Sequence, residues 1–399
     1  MVPMNMKRNV INKLYSEISE PEISILLGAR QVGKTTLMHQ LERQARQNGL
    51  STTFFDMESS ADLAKLSGSD IEVFNKIVSS SQVVFIDEFH YLKNGSRLFK
   101  EIYDSGKKIK IYASGSSSLE IHKHLKESLA GRFRKTMIFP LSLDEASQIE
   151  GSNFENFLRW GGLPGLIHRK TDEEKMDLLE NITSTYITKD IKGIIKEENI
   201  RAFNSMLYSL AQNQGSTTIA ANIAREAGIS ESTVSSYLEI LSETYVCHAL
   251  NSYSNNLANE LKKSKKHYLF DVGIRNSLLK DFRSHADRED KGIIFESFIF
   301  LNLIQKLKPN MEICFWRTKK GAEVDFIILK DRQPFPIEVK SDLKKLTPPK
   351  GLKSFLRAYP KAKVGFVFNA KLKGEIDFER RKIHFLPLEE INHIEDYFS

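Results

Sequence analysis

The residues best suited to chemistry are the eight from Gly28 to Thr35, which fit the pattern G-x-x-x-x-G-K-[ST] in full. In this pattern glycines let backbone N–H groups turn toward phosphates, the lysine reaches the β- and γ-phosphates, and the threonine hydroxyl binds Mg²⁺. The segment therefore predicts binding of ATP with Mg²⁺, with Lys34 and Thr35 in the last two roles. The predicted phosphate-binding residues are Gly28, Ala29, Arg30, Gln31, Val32, Gly33, Lys34, Thr35 and Thr36.

Two carboxylates, Asp87 and Glu88, directly follow the apolar run VVFI. Ligands of open α/β sheets bind at the carboxyl ends of the strands, so these side chains are expected beside the phosphates. We expect Asp87 to hold Mg²⁺ through water and Glu88 to orient or polarise the attacking water. An acidic turn after a buried strand is the plain alternative, but a complete phosphate loop in the same chain makes it much weaker.

A cluster of hydroxyls and one arginine could complete the site. Residues 114–118 (SGSSS) follow the predicted strand IKIYA, so they are expected at the same edge of the sheet as Asp87. We expect Ser116 to sense the γ-phosphate, although serines after a strand are more often turn formers. Arg132, in the segment LAGRFR, is predicted to act as an arginine finger, in cis or from a neighbouring subunit of a homo-oligomer. A surface arginine is an equal alternative.

Four residues in the last third of the chain form a second group: Glu296, Asp325, Glu338 and Lys340. Side chains alternate along a strand, so EVDFII and PIEVK can present Asp325, Glu338 and Lys340 to one point. This is the D…ExK pattern of the PD-(D/E)XK nucleases. It predicts that Asp325 and Glu338, completed by Glu296, bind Mg²⁺ or Mn²⁺, while Lys340 orients or helps deprotonate the attacking water. Charged strand edges often imitate the pattern.

Hydrophobic periodicity predicts the elements that must position these groups. In the first third, four continuous apolar or β-branched runs alternate with helix-like stretches, as in a parallel sheet with crossover helices. The runs are residues 23–27, 52–55, 83–86 and 109–113. Long helical periodicity begins near residue 154. Near residue 291 an amphipathic helix is followed by the short strands of a small mixed sheet.

Residues 218–241 predict two helices joined by a short turn, the outline of a helix-turn-helix. Gly228 permits the turn, and Ser230 can cap the second helix. That helix would expose polar rather than basic side chains, so DNA binding and a role as an interaction or hinge domain are both open. The lysine-rich run at residues 262–266 could form a wing that touches phosphates, or a solvated loop.

Together these segments resemble a known group, the AAA-type ATPases of bacteria and archaea with a C-terminal domain of unknown function numbered 4143. The matching segments are GARQVGKTTL, VVFIDEFHYL, SGSSS, SLAGRF followed by PLSLDE, the GGLP turn at residues 161–164, YITKDI, and GAEVDFII with PIEVK. They span nearly the whole chain. The resemblance implies an ATPase domain, a winged-helix-like middle and a nuclease-like C-terminal fold. One departure is Ser114, where the group usually has a threonine.

The predicted fold class is therefore α/β, in three domains. They are an AAA-type P-loop ATPase domain with a parallel sheet at residues 1–150, a helical and winged-helix-like domain at residues 151–285, and a restriction-endonuclease-like domain at residues 286–399.

Composition and charge limit the class of protein further. A chain of 399 residues with 41% hydrophobic and 27% charged residues is typical of a globular protein with two or three domains. The 58 Lys+Arg against 51 Asp+Glu give a net charge of +7, which allows nucleic acid as a partner and equally allows a plain basic surface. Cys247 and Cys314 are isolated, so no disulfide or zinc site is predicted. No apolar run has membrane-spanning length, and we expect a cytoplasmic location.

Three functions fit these observations. The leading one is an ATP-dependent enzyme in which nucleotide state positions a winged-helix and nuclease module on DNA. The second is a regulatory ATPase that binds DNA or a protein partner and cuts nothing. The third is a chaperone-like or signalling ATPase whose C-terminal domain is a degenerate nuclease fold.

Overall fold

The computed structural model describes residues 6–116, 129–149, 153–184, 200–217, 220–254 and 265–398. The chain forms two compact units. The first comprises Met1–Leu141, Leu163–Asp172 and Glu239–Val246, and the second comprises Ser142–Gly162, Glu173–Leu238 and Cys247–Ser399.

A five-stranded parallel sheet forms the centre of the first unit, with strand order β2-β3-β4-β1-β5. The strands are β1 (Ile23–Gly28), β2 (Thr52–Asp56), β3 (Val83–Asp87), β4 (Lys110–Ser116) and β5 (Phe133–Met137). The prediction of a parallel sheet is confirmed. The fifth strand was not predicted, because its sequence FRKTM is polar and it lies at the edge of the sheet, where few side chains need to be buried.

Helices cover this sheet where the sequence places polar stretches between the strands. They are α1 (Ile11–Ser16), α2 (Lys34–Gln47), α3 (Ser60–Lys65), α4 (Asp70–Ser80) and α5 (Gly95–Asp104). A capping box starts α4, since Ser69 accepts a hydrogen bond from Glu72 N–H and the Glu72 carboxylate accepts one from Ser69 N–H. The apolar faces of α4 and α5 pack on β1 and β3 in one core that includes Ile25, Ile77 and Phe99.

The second unit contains an eight-stranded mixed sheet with the order β12-β13-β11-β10-β9-β8-β6-β7. Its strands are β6 (Cys247–Ser252), β7 (Lys266–Leu269), β8 (Met311–Arg317), β9 (Glu323–Lys330), β10 (Gln333–Lys340), β11 (Val364–Asn369), β12 (Gly374–Phe378) and β13 (Arg381–Pro387). A mixed C-terminal sheet was predicted, but this one is larger, because β6 and β7 from before residue 285 join it. The division into three domains stays a prediction.

Helices of the second unit are α6 (Leu143–Ala146), α7 (Phe154–Trp160), α8 (Asp172–Ile182), α9 (Ile200–Gln212), α10 (Ala220–Ala227), α11 (Glu231–Glu243, which ends in the first unit), α12 (Val272–Leu279), α13 (Lys291–Ile304) and α14 (Lys350–Ala358). The prediction that α13 is amphipathic is wrong. From Ile294 to Ile304 every residue except Glu296 is buried, as in a helix enclosed on all sides. None of the described helices is long and apolar enough to cross a membrane.

Candidate nucleotide site and C-terminal carboxylate site

The phosphate loop connects β1 to α2 at the carboxyl edge of the parallel sheet. Each of its two glycines is required for a different structural reason. A Cβ on Gly28 would lie 2.2 Å from the carbonyl oxygen of Ile138, so no larger residue fits there. Gly33 precedes α2 with φ 91°, a left-handed conformation that glycine adopts without strain. The backbone of the loop therefore has the tight turn that phosphate binding requires.

Lys34 lies across this loop. Its side chain is buried, and its Nζ donates hydrogen bonds to the carbonyl oxygens of Gly28 and Ala29, both at 3.1 Å. These contacts hold the ammonium group over the first two residues of the loop. A positive charge at this place matches its predicted role beside the β- and γ-phosphates.

Asp87 ends β3 and is 3% exposed. The hydroxyl of Ser114, on the neighbouring strand β4, donates a hydrogen bond to Asp87 Oδ1. Burial raises the pKa of Asp87, while hydrogen bonds from Ser114 and from the Thr35 side chain oppose that rise. The two predicted Mg²⁺ ligands, Thr35 and Asp87, therefore lie close enough to hold one ion between them.

Glu88 has a left-handed backbone with φ 50°, which is uncommon for a residue with a side chain. Its N–H donates a hydrogen bond to Ser114 Oγ at 3.2 Å, and its Oε2 lies 3.3 Å from Nδ1 of His90. Ser114 thus contacts both consecutive acidic residues. Such strained backbone is often found at functional sites. Here it ends the extended backbone of β3 at Asp87, so that the chain turns at Glu88.

Ser114 and Ser116 both lie on β4, at the carboxyl edge of the sheet. The backbone of Ser116 pairs with Gly28 at the end of β4, but its side chain lies outside the described residues, as do residues 117 and 118. Its role as a sensor stays a prediction. Ser114 is the serine of this segment that contacts Asp87, and its place in the segment that resembles the family's third motif is the sequence signal for it.

Arg132 lies at the other edge of the sheet. Its carbonyl oxygen accepts a hydrogen bond from Ile23 N–H, at the amino end of β1, and its Nε pairs with Asp104 at 2.7 Å. The six residues of β1 separate that edge from the phosphate loop by roughly 17 Å, at about 3.3 Å per residue. This placement does not fit a finger that acts in cis. A finger that acts on a neighbouring subunit stays a prediction.

Two further residues flank the phosphate loop. A Cβ built on Gly33 would lie 3.5 Å from Cγ of Pro164 and 3.6 Å from Nη1 of Arg8. Pro164 belongs to the GGLP turn, which the sequence marked only as a family feature. No pattern in the sequence around Arg8 indicates a place at this site, because its partners lie 24 and 131 residues away along the chain.

The two glycines of the GGLP turn, Gly161 and Gly162, belong to the second unit. Gly162 N–H donates a hydrogen bond of 2.7 Å to Asp271, and a Cβ on Gly161 would lie 2.1 Å from the same carboxylate. Asp271 also caps α12 by accepting from Ile274 N–H at 3.1 Å. Burial raises the pKa of Asp271 to about 6, and the backbone N–H groups oppose this rise. Gly161 is needed because the buried carboxylate of Asp271 leaves no room for a side chain at that position. The YITKDI segment lies outside the described residues.

The two helices predicted within residues 218–241 are present as α10 and α11. Gly228 has φ 68°, and Ser230 Oγ accepts a hydrogen bond of 3.1 Å from Thr233 N–H at the start of α11. Ile223 and Val234 are buried between the helices and their neighbours, while Ser235 is exposed. A helix-turn-helix module at this place stays a prediction, with DNA binding and a role as an interaction domain both open.

The four predicted C-terminal residues lie on α13, β9 and β10. Asp325 Oδ2 accepts a hydrogen bond of 2.8 Å from Val339 N–H, which ties β9 to the ExK segment. Lys340 Nζ pairs with Glu338 Oε1 at 2.8 Å. Burial raises the pKa of Glu338 and of Glu296, and the charge of Asp325 raises both further. The structure therefore brings these four residues into one cluster of interacting charges.

Lys266 also belongs to this cluster, although the sequence predicts it in a wing or a solvated loop. It is 1% exposed, and its Nζ lies 2.6 Å from Glu323 Oε1 and 3.5 Å from Glu296 Oε1. Burial alone would lower the pKa of Lys266, but the surrounding carboxylates outweigh it and raise the pKa. Its predicted place in an exposed wing is therefore wrong, because the charges of three carboxylates, Glu296, Asp325 and Glu323, favour the buried ammonium. Residues 262–264 of the same run lie outside the described residues.

Some features of the cluster speak against a metal site, and one speaks for it. Among the described residues, no group of three or more His, Cys, Asp and Glu side chains is arranged to hold a metal ion. Glu338 and Glu296 each have a lysine or tyrosine partner, since Tyr268 donates to Glu296 at 2.6 Å. However, Glu338 Oε2 is buried without a hydrogen-bond partner in the structure as described. A buried orphan carboxylate oxygen next to Asp325 is what a divalent cation would bind.

The parallel sheet, the phosphate loop and the Asp87 site define the class of protein, a P-loop NTPase. The family models agree. Residues 20–147 match the model of an AAA domain, residues 151–285 match domain of unknown function 8612, and residues 291–391 match domain of unknown function 4143. The chain therefore carries an AAA-type P-loop ATPase domain and a C-terminal domain of unknown function 4143.

Relatives cover most of the chain. An uncharacterized protein of Methanocaldococcus jannaschii is 24% identical over 88% of this chain and 82% of its own length. An uncharacterized protein of Mycobacterium tuberculosis is 24% identical over 84% of this chain and 74% of its own length. A Haemophilus influenzae relative is 22% identical over 76% and 79%.

Solved structures similar to this chain include two AAA-type proteins. One is the Aeropyrum pernix ORC1 protein in complex with DNA, which is 13% identical with a TM-score of 0.29, over 68% of this chain and 91% of that one. The other is AMPPCP-bound DnaA from Aquifex aeolicus, which is 11% identical with a TM-score of 0.31, over 59% of this chain and 86% of that one.

Proposed function

We propose that this protein hydrolyses ATP with Mg²⁺ at the Gly28–Thr35 loop and uses the nucleotide cycle to control the action of its C-terminal half on DNA. The observation that carries the ATPase part is the contact of Asp87 with both Thr35 and Ser114 at the end of the phosphate loop. This contact connects the predicted magnesium ligands to Ser114 on the neighbouring strand β4. We expect the protein to work in the cytoplasm.

Each residue of the nucleotide site has a role in this proposal. The loop N–H groups and Lys34 bind the phosphates, and Thr35 with Asp87 would hold Mg²⁺, directly or through water. The ion supplies neutralisation of the charge that develops on the phosphates. Glu88, turned out of β3 by its left-handed backbone, would orient the attacking water and accept its proton. His90, 3.3 Å from Glu88, is placed to orient that carboxylate.

Two features of the second unit support action on DNA. The capped turn between α10 and α11 supports a helix-turn-helix module in this part of the chain. The D…ExK residues form one cluster in which Asp325, Glu338 and Glu296 would hold Mg²⁺ or Mn²⁺. The ion would activate water for attack on a phosphodiester, and Lys340 would orient that water and stabilise the charge of the transition state.

A second function is a regulatory ATPase that binds DNA or a protein partner without cutting. The pairing of Lys266 with Glu323 and of Lys340 with Glu338 favours it, because these cations already neutralise carboxylates that a metal would otherwise bind. In this reading the cluster stabilises the sheet of the second unit and has no substrate.

Two measurements test the proposal. Glu88→Gln should bind ATP but hydrolyse it at least tenfold more slowly, since the amide keeps the shape and loses the basic lone pair. Glu58→Gln, which removes an exposed carboxylate after the neighbouring strand β2, is the matched control. Wild-type rates in Glu88→Gln would move the role to another group.

Cleavage of plasmid DNA with Mg²⁺ or Mn²⁺, repeated with Lys340→Ala, separates the two functions. Cleavage that requires Lys340 supports the enzyme, whereas binding of DNA without cleavage in the wild type supports the regulatory ATPase. Absence of both DNA binding and cleavage would contradict the DNA part of the proposal and leave the ATPase part standing.

A further inference from the structure

Arg8 lies before the first helix and reaches into the nucleotide site. It is 5% exposed although it is always charged. Its Nη1 donates a hydrogen bond of 2.9 Å to the carbonyl oxygen of Val32, and its Nη2 donates one of 2.7 Å to the carbonyl oxygen of Phe139. Burial of a guanidinium is costly unless its N–H groups are bonded, so this position is maintained by specific contacts.

The contact with Val32 fixes the direction of one peptide group in the loop. In a trans peptide the C=O and the N–H point in opposite directions. Because the carbonyl of Val32 points toward Arg8, the N–H of Gly33, in the same peptide plane, points away from Arg8. Gly33 is the last residue before α2, and N–H groups at such a helix start bind phosphate.

The contact with Phe139 connects the other end of the loop. Ile138 N–H donates a hydrogen bond of 2.7 Å to the carbonyl of Leu27, and the carbonyl of Ile138 lies where a Cβ of Gly28 would be. Residues 138 and 139 therefore line the start of the phosphate loop, and Val32 lies near its end. A planar guanidinium with parallel N–H groups can bridge these two carbonyls, which a lysine ammonium cannot do with the same geometry.

We propose that Arg8 is a positioning residue of the nucleotide site, which holds the Val32–Gly33 peptide with its N–H directed at the β-phosphate. The inference rests on the proposed ATP site. It predicts that Arg8 contributes to binding of di- and triphosphates and little to binding of a monophosphate, because the oriented N–H serves the phosphates beyond the first.

The experiment measures dissociation constants of fluorescent mant-ADP and mant-AMP by titration. Arg8→Met keeps the length of the side chain and removes the hydrogen bonds. It should weaken mant-ADP binding about tenfold, a typical effect of losing charge-assisted hydrogen bonds, and change mant-AMP binding much less. Lys7→Met, which removes a charge at the exposed neighbouring position, should bind both nucleotides as the wild type does.

Arg8→Lys is a second variant, which controls for the case that Arg8→Met does not fold. Its single ammonium should restore part of the mant-ADP affinity, and hydrogen exchange of residues 28–34 should lie between the wild type and Arg8→Met. Equal mant-ADP affinity in Arg8→Met and Lys7→Met, or equal losses for mant-ADP and mant-AMP, would overturn the inference. Failure of the wild type to bind mant-ADP would instead contradict the proposed nucleotide site.

Discussion

Ser114 donates a hydrogen bond from β4 to the carboxylate of Asp87 on β3, and its oxygen accepts one from the N–H of Glu88. One hydroxyl therefore joins the predicted magnesium ligand to the residue predicted to orient water. Both contacts are made across neighbouring strands of the parallel sheet, so they depend on the register of β3 and β4.

This relationship predicts the effect of changing Ser114. Ser114→Ala removes the hydroxyl that donates to the buried Asp87 and accepts from the Glu88 N–H, so ATP hydrolysis should fall about tenfold while ATP binding changes little. Ser114→Thr keeps the hydroxyl and should retain most of the activity. Steady-state hydrolysis and ATP titration of both variants test this, and full activity of Ser114→Ala would show that the contact is dispensable.

Lys34→Ala should abolish tight ATP binding. The variant removes the positive charge that lies over Gly28 and Ala29 and that is expected to contact the β- and γ-phosphates. Lys65→Ala, which removes an exposed lysine paired with Asp62, is a suitable control. Calorimetric titration with ATP measures the effect, and undiminished binding by Lys34→Ala would contradict the assignment of the phosphate loop.

If Arg132 acts on a neighbouring subunit, hydrolysis per chain should rise with protein concentration as assemblies form. A mixture of Arg132→Ala and Lys34→Ala chains should then recover part of the activity, because each variant supplies the half of the site that the other lacks. Size-exclusion chromatography must show that mixed assemblies form. If they form without any recovery of activity, the pairing of Arg132 with Asp104 is its role in this protein.

Asp325→Ala and Glu338→Ala should each weaken Mn²⁺ binding, because each removes a large share of the negative charge that would hold the ion. Lys340→Ala should leave Mn²⁺ binding intact or strengthen it, and should abolish any cleavage. Asp342→Ala, an exposed carboxylate paired with Lys291, is the control. Calorimetry that detects no Mn²⁺ binding by the wild type, even with DNA present, would falsify the nuclease reading.

Lys266→Met should destabilise the second unit. Loss of the ammonium leaves Glu323 and Glu296 without their buried partner, and breaking such a pair costs about 3 kcal/mol of unfolding free energy. A second change, Glu323→Gln, should recover part of this loss by removing the uncompensated charge. Urea unfolding of both variants, with Lys265→Met as the exposed control, measures the difference. A Lys266→Met protein as stable as the control would show that the ion pairs contribute little.

The sequence alone determined the parts of this protein that depend on short segments. The phosphate loop is contiguous, and its function depends on residue types at fixed spacing. Asp87 and Glu88 follow a continuous apolar run, which forms a buried parallel strand and places whatever comes next at the carboxyl edge. In the same way, the alternation in β9 and β10 was sufficient to group Asp325 with Glu338 and Lys340.

Only the tertiary structure decided which distant groups meet. Arg8 contacts Val32 and Phe139 across 24 and 131 residues, and Lys266 is buried against Glu323 although its neighbours in the sequence indicate an exposed loop. Arg132 lies at the amino edge because the polar segment after it pairs with β1 from Ile23 onward. Strand order, register and burial are set by the whole core, so no local pattern of residue types contains them.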